Sequence, residues 1–176
     1  MKEYKHVIWD WNGTLLDDVQ IAINSMNSLL RKRELPTLNN KTYRNIFTFP
    51  VKEYYSKLGF DFKVEPFEEL ATEYIVEFHS DKYCFKLFPE AEYVLSQIYN
   101  MGISQSILSA CQEENLNTTV KRLGIKKYFK KIIGLNNHYA ISKVERGKEY
   151  LLDLKLKSEE IITNVVDSIL EVSKYI

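Results

Sequence analysis

Cysteine is scarce in this chain, with two residues in 176, Cys84 and Cys111. Two thiols make neither a disulfide framework nor a metal-type cluster, so a reducing, cytoplasmic setting is expected and both read as small hydrophobes. Net charge is absent as well. Lys plus Arg and Asp plus Glu number 24 each, which leaves no long-range field to draw nucleic acid or an anionic membrane. Long apolar runs are also missing. The first, Val7-Ile8-Trp9, follows two lysines and a glutamate and is too brief for a signal peptide or a membrane span, and no later run reaches spanning length. There is no internal repeat and no low-complexity segment. What remains is an apolar content of 45%, enough for one sizeable core or a core with a small insertion. A small-molecule partner is the expectation.

The apolar stretch at residues 7–10 predicts a strand that ends on Asp10 and breaks into the turn Gly13-Thr14. A carboxylate at the carboxyl end of a buried strand lies where open α/β sheets place their ligands. Three further short, β-branched segments predict strands over Ser104 to Leu108, Lys131 to Gly134 and Ile161 to Val166. Helical patterns separate them: one begins at Pro89, carries Val94, Leu95, Ile98 and Tyr99 and stops at Gly102, and another carries Leu116, Val120 and Leu123 and closes at Gly124. This alternation predicts crossover units and a parallel sheet. Between the first two strands, residues 18–85 hold only helical patterns: Val19, Ile23, Met26 and Leu30; Tyr54, Tyr55 and Leu58 between Pro50 and Gly59; and Phe67, Leu70, Tyr74, Ile75 and Phe78. The aromatic residues there read as core, and Asp17 with Asp18 as a helix start.

Four pieces fall in order: Asp10 with Gly13 and Thr14, Ser109 in Ser106-Ile107-Leu108-Ser109-Ala110, Lys143 near a helix start, and Asp167 after the fourth strand. Ser142-Lys143-Val144-Glu145 has the form of a capping box, which predicts Lys143 in the first turn of a helix running to about Leu154. Each has a plain reading too: a turn serine, a solvated lysine, an aspartate capping a helix over Ser168 to Ile176. Together the set resembles the haloacid dehalogenase superfamily, in its phosphoglycolate phosphatase-like branch with a helical cap, over nearly the whole chain. The resemblance implies a Rossmann-like α/β core of residues 1–17 and 86–176 with a cap of residues 18–85. It also implies a Mg²⁺-dependent phosphatase acting on a small phosphorylated substrate. Asp10 would be the nucleophile, Ser109 and the backbone at Ala110 would hold phosphate with Lys143, and Asp10, Asn12 through its carbonyl and Asp167 would hold the metal. Lys148 is the rival to Lys143, which the 24-residue interval to Asp167 favours. Glu171 would support Asp167, although Val166 and Glu171 stand where the family more often has glycine and aspartate.

Position 12 departs from the phosphatase pattern. An aspartate there protonates the leaving oxygen; Asn12 donates a hydrogen bond but exchanges no proton. General acid-base catalysis is worth about 10²–10⁴-fold. Three readings follow: a phosphatase for substrates with good leaving groups, a metal-independent dehalogenase-like hydrolase, and a catalytically weak phospholigand-binding protein. Asn12-Gly13 is also a deamidation-prone dipeptide. His138, Tyr139 and Cys111 neighbour the motif residues and read as loop and packing residues. The chain ends nine residues after Asp167, where the resemblance leads one to expect a further strand. The fourth strand is then expected at a sheet edge, covered by the C-terminal helix or by a second copy in a homodimer.

Overall fold

The computed structural model describes residues 4–80, 84–136 and 143–163. These fall into two compact units, one of residues 4–17, 85–136 and 143–163 and the other of residues 18–80 with Cys84.

The first unit is a four-stranded parallel sheet. Its strands are β1 (His6–Trp9), β2 (Ser104–Gln112), β3 (Lys131–Leu135) and β4 (Ile161–Ile162), in the order β3-β2-β1-β4. The ladders run His6 against Ser104 and Trp9 against Ile107 between β1 and β2, Ser106 against Lys131 between β2 and β3, and His6 against Ile161 between β1 and β4. Because side chains alternate along a strand, β1 faces two ways. Val7 and Trp9 join Ile107 in a core with Ala91, Val94, Leu95 and Ile98 of α5 (Ala91–Asn100) and with Leu116 and Val120 of α6 (Glu113–Arg122). His6, on the opposite face, meets Tyr150 of α7 (Val144–Leu154).

The second unit is helical: α1 (Val19–Lys32), α2 (Asn40–Ile46), α3 (Val51–Lys57) and α4 (Phe67–Phe78). Met26, Leu29 and Leu30 of α1 pack on Tyr54, Tyr55, Phe60, Phe67 and Leu70, so the apolar stripes of the three expected helices close on one another. Asn27 exchanges two hydrogen bonds with the backbone of Leu38, at 2.9 and 2.7 Å, and pins the segment that leads into α2. That helix begins at a capping box between Asn39 and Thr42.

Several expectations shift. β1 ends at Trp9, so Asp10 lies one residue beyond the strand rather than inside it. β2 runs to Gln112, not Leu108, because pairing with β3 resumes at Gln112 against Leu135 after an irregularity; Ser109 and Ala110 therefore sit within the strand. Pro89 lies in a turn ahead of α5. Lys143 is the residue before α7, not part of its first turn, and Ser142 of the expected capping box lies outside the described residues. β4 covers Ile161 and Ile162 and Thr163 is irregular, while residues 164–166 lie outside the described residues. Cys84 is exposed rather than packed, whereas Cys111 packs against the first core. No helix among the described residues is long and apolar enough to cross a membrane.

Candidate functional site at the strand ends

The loop after β1 is built to present polar groups on buried anchors. Trp11, Leu15 and Leu16 are buried, while Asn12 and Gly13 between them are exposed. The Trp11 carbonyl accepts from the N–H groups of Thr14, Leu15 and Leu16 at 3.0–3.2 Å, and the Gly13 N–H donates to Leu16 O at 3.0 Å. Gly13 sits at φ 70°, a left-handed conformation that glycine reaches without a side-chain clash. The Phe88 N–H donates to Leu15 O at 3.1 Å and the Asp17 N–H to Lys86 O at 3.0 Å, which ties the loop to the chain entering α5. One consequence bears on Asn12. Deamidation needs the next backbone nitrogen to attack the side-chain amide, and the Gly13 N–H is held by Leu16, so the folded loop disfavours the reaction.

Asp10 emerges half-exposed from this loop. Lys143 Nζ donates to Asp10 Oδ1 at 2.5 Å and to the carbonyl of Leu108 at 3.3 Å. Ser109, buried, has its hydroxyl 3.5 Å from Asn12 Oδ1 and accepts the Cys111 N–H at 3.0 Å. Ala110 follows Ser109 in β2, half-buried. The structure thus brings together Asp10, Asn12, Ser109, Ala110 and Lys143 from the ends of two adjacent strands and the start of α7. Lys148 instead pairs with Glu145 at 2.9 Å in solvent. Asp167, Glu171, His138 and Tyr139 lie outside the described residues.

Sequence reasoning missed a brace beside these groups. Arg146 Nη2 donates to Glu113 Oε2 at 2.8 Å and its Nε to Gly134 O at 3.3 Å, while the Gly134 N–H donates to Glu113 Oε2 at 3.2 Å. The brace locks the starts of α6 and α7 to the end of β3. Its signal was Gly134, a glycine within a β-branched strand, which marks close backbone approach: a Cβ there would lie 2.5 Å from Glu113 Cα.

A carboxylate with an ammonium on one oxygen, beside a buried hydroxyl, has the chemistry to hold an anion and to act on it as a nucleophile. The donors the described residues offer a cation are oxygens, the Asp10 carboxylate and the Asn12 carbonyl, the ligand chemistry that Mg²⁺ prefers. Among the described residues no group of three or more His, Cys, Asp or Glu side chains forms a metal cluster. Mg²⁺ commonly takes only one or two carboxylates and completes its shell with water and substrate phosphate, so this donor set fits it.

Comparison with known proteins agrees on the fold. The chain superposes on a haloacid dehalogenase-like family hydrolase from Streptococcus pneumoniae with a TM-score of 0.77 at 20% identity, covering 93% of this chain and 76% of that one. A predicted phosphoglycolate phosphatase from Haemophilus somnus gives 0.73 at 16% identity, covering 92% and 76%. CbbY from Rhodobacter sphaeroides, solved in complex with phosphate, gives 0.69 at 13% identity, covering 91% and 76%. No curated protein sequence matches the chain significantly. The family model of haloacid dehalogenase-like hydrolases matches residues 7–172. With that pattern running from the strand that delivers Asp10 through nearly all that follows, this protein belongs to the haloacid dehalogenase-like hydrolases.

Proposed function

We propose that this protein is a phosphatase that transfers the phosphoryl group of a small phosphorylated metabolite to Asp10. The observation that carries the reading is the 2.5 Å contact between Lys143 Nζ and Asp10 Oδ1 at the strand ends. An ammonium seated there neutralises the carboxylate in the resting site and is positioned to share its charge with an arriving phosphate. An Asp10 oxygen attacks phosphorus, the bond from phosphorus to the leaving oxygen breaks, and an aspartyl phosphate forms; water then cleaves it and restores the carboxylate. Ser109 and the backbone at Ala110, with Lys143, hold the phosphoryl oxygens in this reading. Asp10 and the Asn12 carbonyl, with Asp167 as the third expected ligand, are the groups that would hold Mg²⁺. That ion supplies charge screening between the carboxylate and the phosphate.

Asn12 selects among substrates. Its amide steadies the leaving oxygen by hydrogen bonding but delivers no proton, so substrates whose leaving group needs none, acyl or anhydride phosphates, are favoured over alkyl phosphates by about 10²–10⁴-fold. The helical unit of α1 to α4 serves in this reading as the cap that selects the organic part of the substrate.

The test is release of inorganic phosphate from acetyl phosphate and from glycerol phosphate, an alkyl ester, with Mg²⁺ or with EDTA. Asp10→Asn is expected to lower turnover at least 10³-fold, EDTA to suppress it, and Asn12→Asp to raise turnover of the alkyl ester. Phosphate release that survives Asp10→Asn overturns the proposal. Phosphate binding without turnover of either compound identifies a phospholigand-binding protein, and EDTA-insensitive halide release from a haloacid identifies dehalogenase chemistry.

A further inference from the structure

Two turns along α7 from Lys143, a buried polar chain crosses the same face of the sheet. Tyr150, 4% exposed, is hydrogen-bonded through its hydroxyl to Ser106 Oγ and lies 3.3 Å from His6 Nε2. The other ring nitrogen, His6 Nδ1, is 2.5 Å from Ser104 Oγ, and that hydroxyl donates to the carbonyl of Lys5 at 3.0 Å. The hydrogens follow from the fixed end. A serine has one hydrogen, and Ser104 gives it to Lys5, so Ser104 accepts from His6 Nδ1–H. The Nε2 of a neutral imidazole is then the acceptor, Tyr150 donates to it, and Ser106 donates to Tyr150. Each member has a partner, and His6 and Ser106 are fully buried.

The two contact points of α7 match those of β1. Lys143, at the N-cap of α7, to Tyr150 is a step of seven residues, about 10 Å of rise. Asp10 to His6 is a step of four residues, the length of β1 and the residue after it, about 13 Å. The helix therefore lies along the strand with Lys143 at one end on Asp10 and Tyr150 at the other on His6. Between them Gly147 is buried, where a Cβ would lie 2.9 Å from Leu108 Cδ2, so the helix is close to the sheet and has little room to roll. The hydrogen bonds of the Tyr150 hydroxyl fix what that close approach leaves free, the position of α7 along the sheet.

We propose that the Ser106–Tyr150–His6 chain is a positioning device for Lys143, seating α7 so that the ammonium lies on Asp10. None of the three touches the phosphate; they act through the helix. The proposal rests on the reading of Lys143 as a phosphate-holding group, and its test separates the two.

The experiment is a double-mutant cycle read by the affinity for inorganic phosphate, which does not require turnover. Trp9 and Trp11 adjoin Asp10 and supply the fluorescence signal. Lys143→Met is expected to weaken phosphate binding, and Tyr150→Phe, which keeps the ring and removes one oxygen, to weaken it about tenfold, the scale of one hydrogen bond to a charged group. In the Lys143→Met background, Tyr150→Phe is expected to cost nothing further. If Lys143→Met leaves affinity unchanged, the phosphate-holding reading fails and the positioning proposal with it. If Lys143→Met weakens binding and Tyr150→Phe does not, the positioning proposal alone is wrong. Equal losses from Tyr150→Phe in both backgrounds show action other than through Lys143 and also overturn it. Should Tyr150→Phe fail to fold, Ser106→Ala removes the same link from the strand side and is read in the same cycle.

Discussion

The sheet unit and the helical unit bury different chemistry. In the sheet unit His6, Gln105, Ser106 and Ser109 are at most 1% exposed, and each is hydrogen-bonded. Trp9 Nε1 donates to Gln105 Oε1 and Gln105 Nε2 to Leu95 O, both at 2.9 Å. In the helical unit the core cluster is aromatic and aliphatic, the buried polar residues Asp18, Ser25 and Asn27 form no chain of side-chain hydrogen bonds among themselves, the hydroxyls of Ser25 and Tyr54 are buried with no partner among the described residues, and the main polar cluster, Arg33 with Glu65 and Glu73, sits at the partly exposed rim. A satisfied buried polar network admits one arrangement, whereas an apolar interior tolerates small repacking. The difference teaches where positional accuracy is kept: beneath Asp10 and Lys143, while the helical unit supplies cohesion and is free to vary.

The largest break in that comparison comes from Leu70→Ala. Leu70 is fully buried among Met26, Tyr55 and Phe67, and the truncation is expected to cost about 3 kcal/mol. Both tryptophans of the chain, Trp9 and Trp11, belong to the sheet unit, so fluorescence excited at the indole band follows that unit while far-UV circular dichroism follows both. The expected result in urea is an earlier dichroism transition and an unshifted fluorescence midpoint. If both midpoints move together, the two units unfold as one and the division of labour is not energetic.

Acidification sharpens the comparison, with an effect of about 2 kcal/mol once water drawn to the charged ring is allowed for. Burial, with Lys130 adding to it, lowers the pKa of His6 from 6.5 to about 4. The unfolded chain therefore binds a proton that the folded chain refuses between those values. The contribution is full above pH 6.5 and is lost as pH falls toward 4. In the helical unit the sign comes from carboxylates. Hydrogen bonds from Arg33 hold Glu65 low, and at Glu73 burial pushes the pKa up but Lys32 and Arg33 outweigh it. Those groups stabilise above the ordinary carboxylate range and are lost only as pH falls below it. Urea midpoints by tryptophan fluorescence are expected to fall between pH 6.5 and 4.5 in the wild type and to lose that slope in His6→Asn. A slope that persists in the variant assigns the effect to another group.

Much of this was legible from residue order, and the rest was hidden for definable reasons. The apolar stripes of α1, α4 and α5 and the run into Asp10 show periodicity strong enough to place them. α2, Asn-Lys-Thr-Tyr-Arg-Asn-Ile, has no buried residue and therefore no stripe; its only mark is the Asn39 cap. The extension of β2 through Ser109 to Gln112 depends on a partner strand, which local propensity does not reveal. Asp10 stands out from sequence because it follows a buried strand, whereas Ser109 and Lys143 look like a turn serine and a solvated lysine and are picked out only by the resemblance to the phosphatase pattern. Arg146 and Glu113 look like solvated residues until Gly134 is read as a point of close approach. The His6–Tyr150 contact spans 144 residues, and nothing in either residue's neighbourhood announces it.

The smallest expected effect is at the rim of the helical unit. Arg33 follows the last turn of α1, where its Nη1 donates to Leu29 O at 3.0 Å, its Nε to Glu65 Oε2 and its Nη2 to Glu73 Oε2, both at 2.6 Å. One planar fork thus joins the end of α1 to α4 and to the turn before it. Lysine keeps the charge but presents a single nitrogen and cannot reproduce the fork. Partly exposed ion pairs contribute little each, so Arg33→Lys is expected to cost about 1 kcal/mol, to shift the dichroism transition alone, and to lose most of its penalty in high salt. A penalty of that size that ignores salt would mean that the stacking of the guanidinium on the Phe60 ring, whose centroid is 5.7 Å from the guanidinium carbon, outweighs the charges. The helical unit would then be held by aromatic contact even at its polar rim.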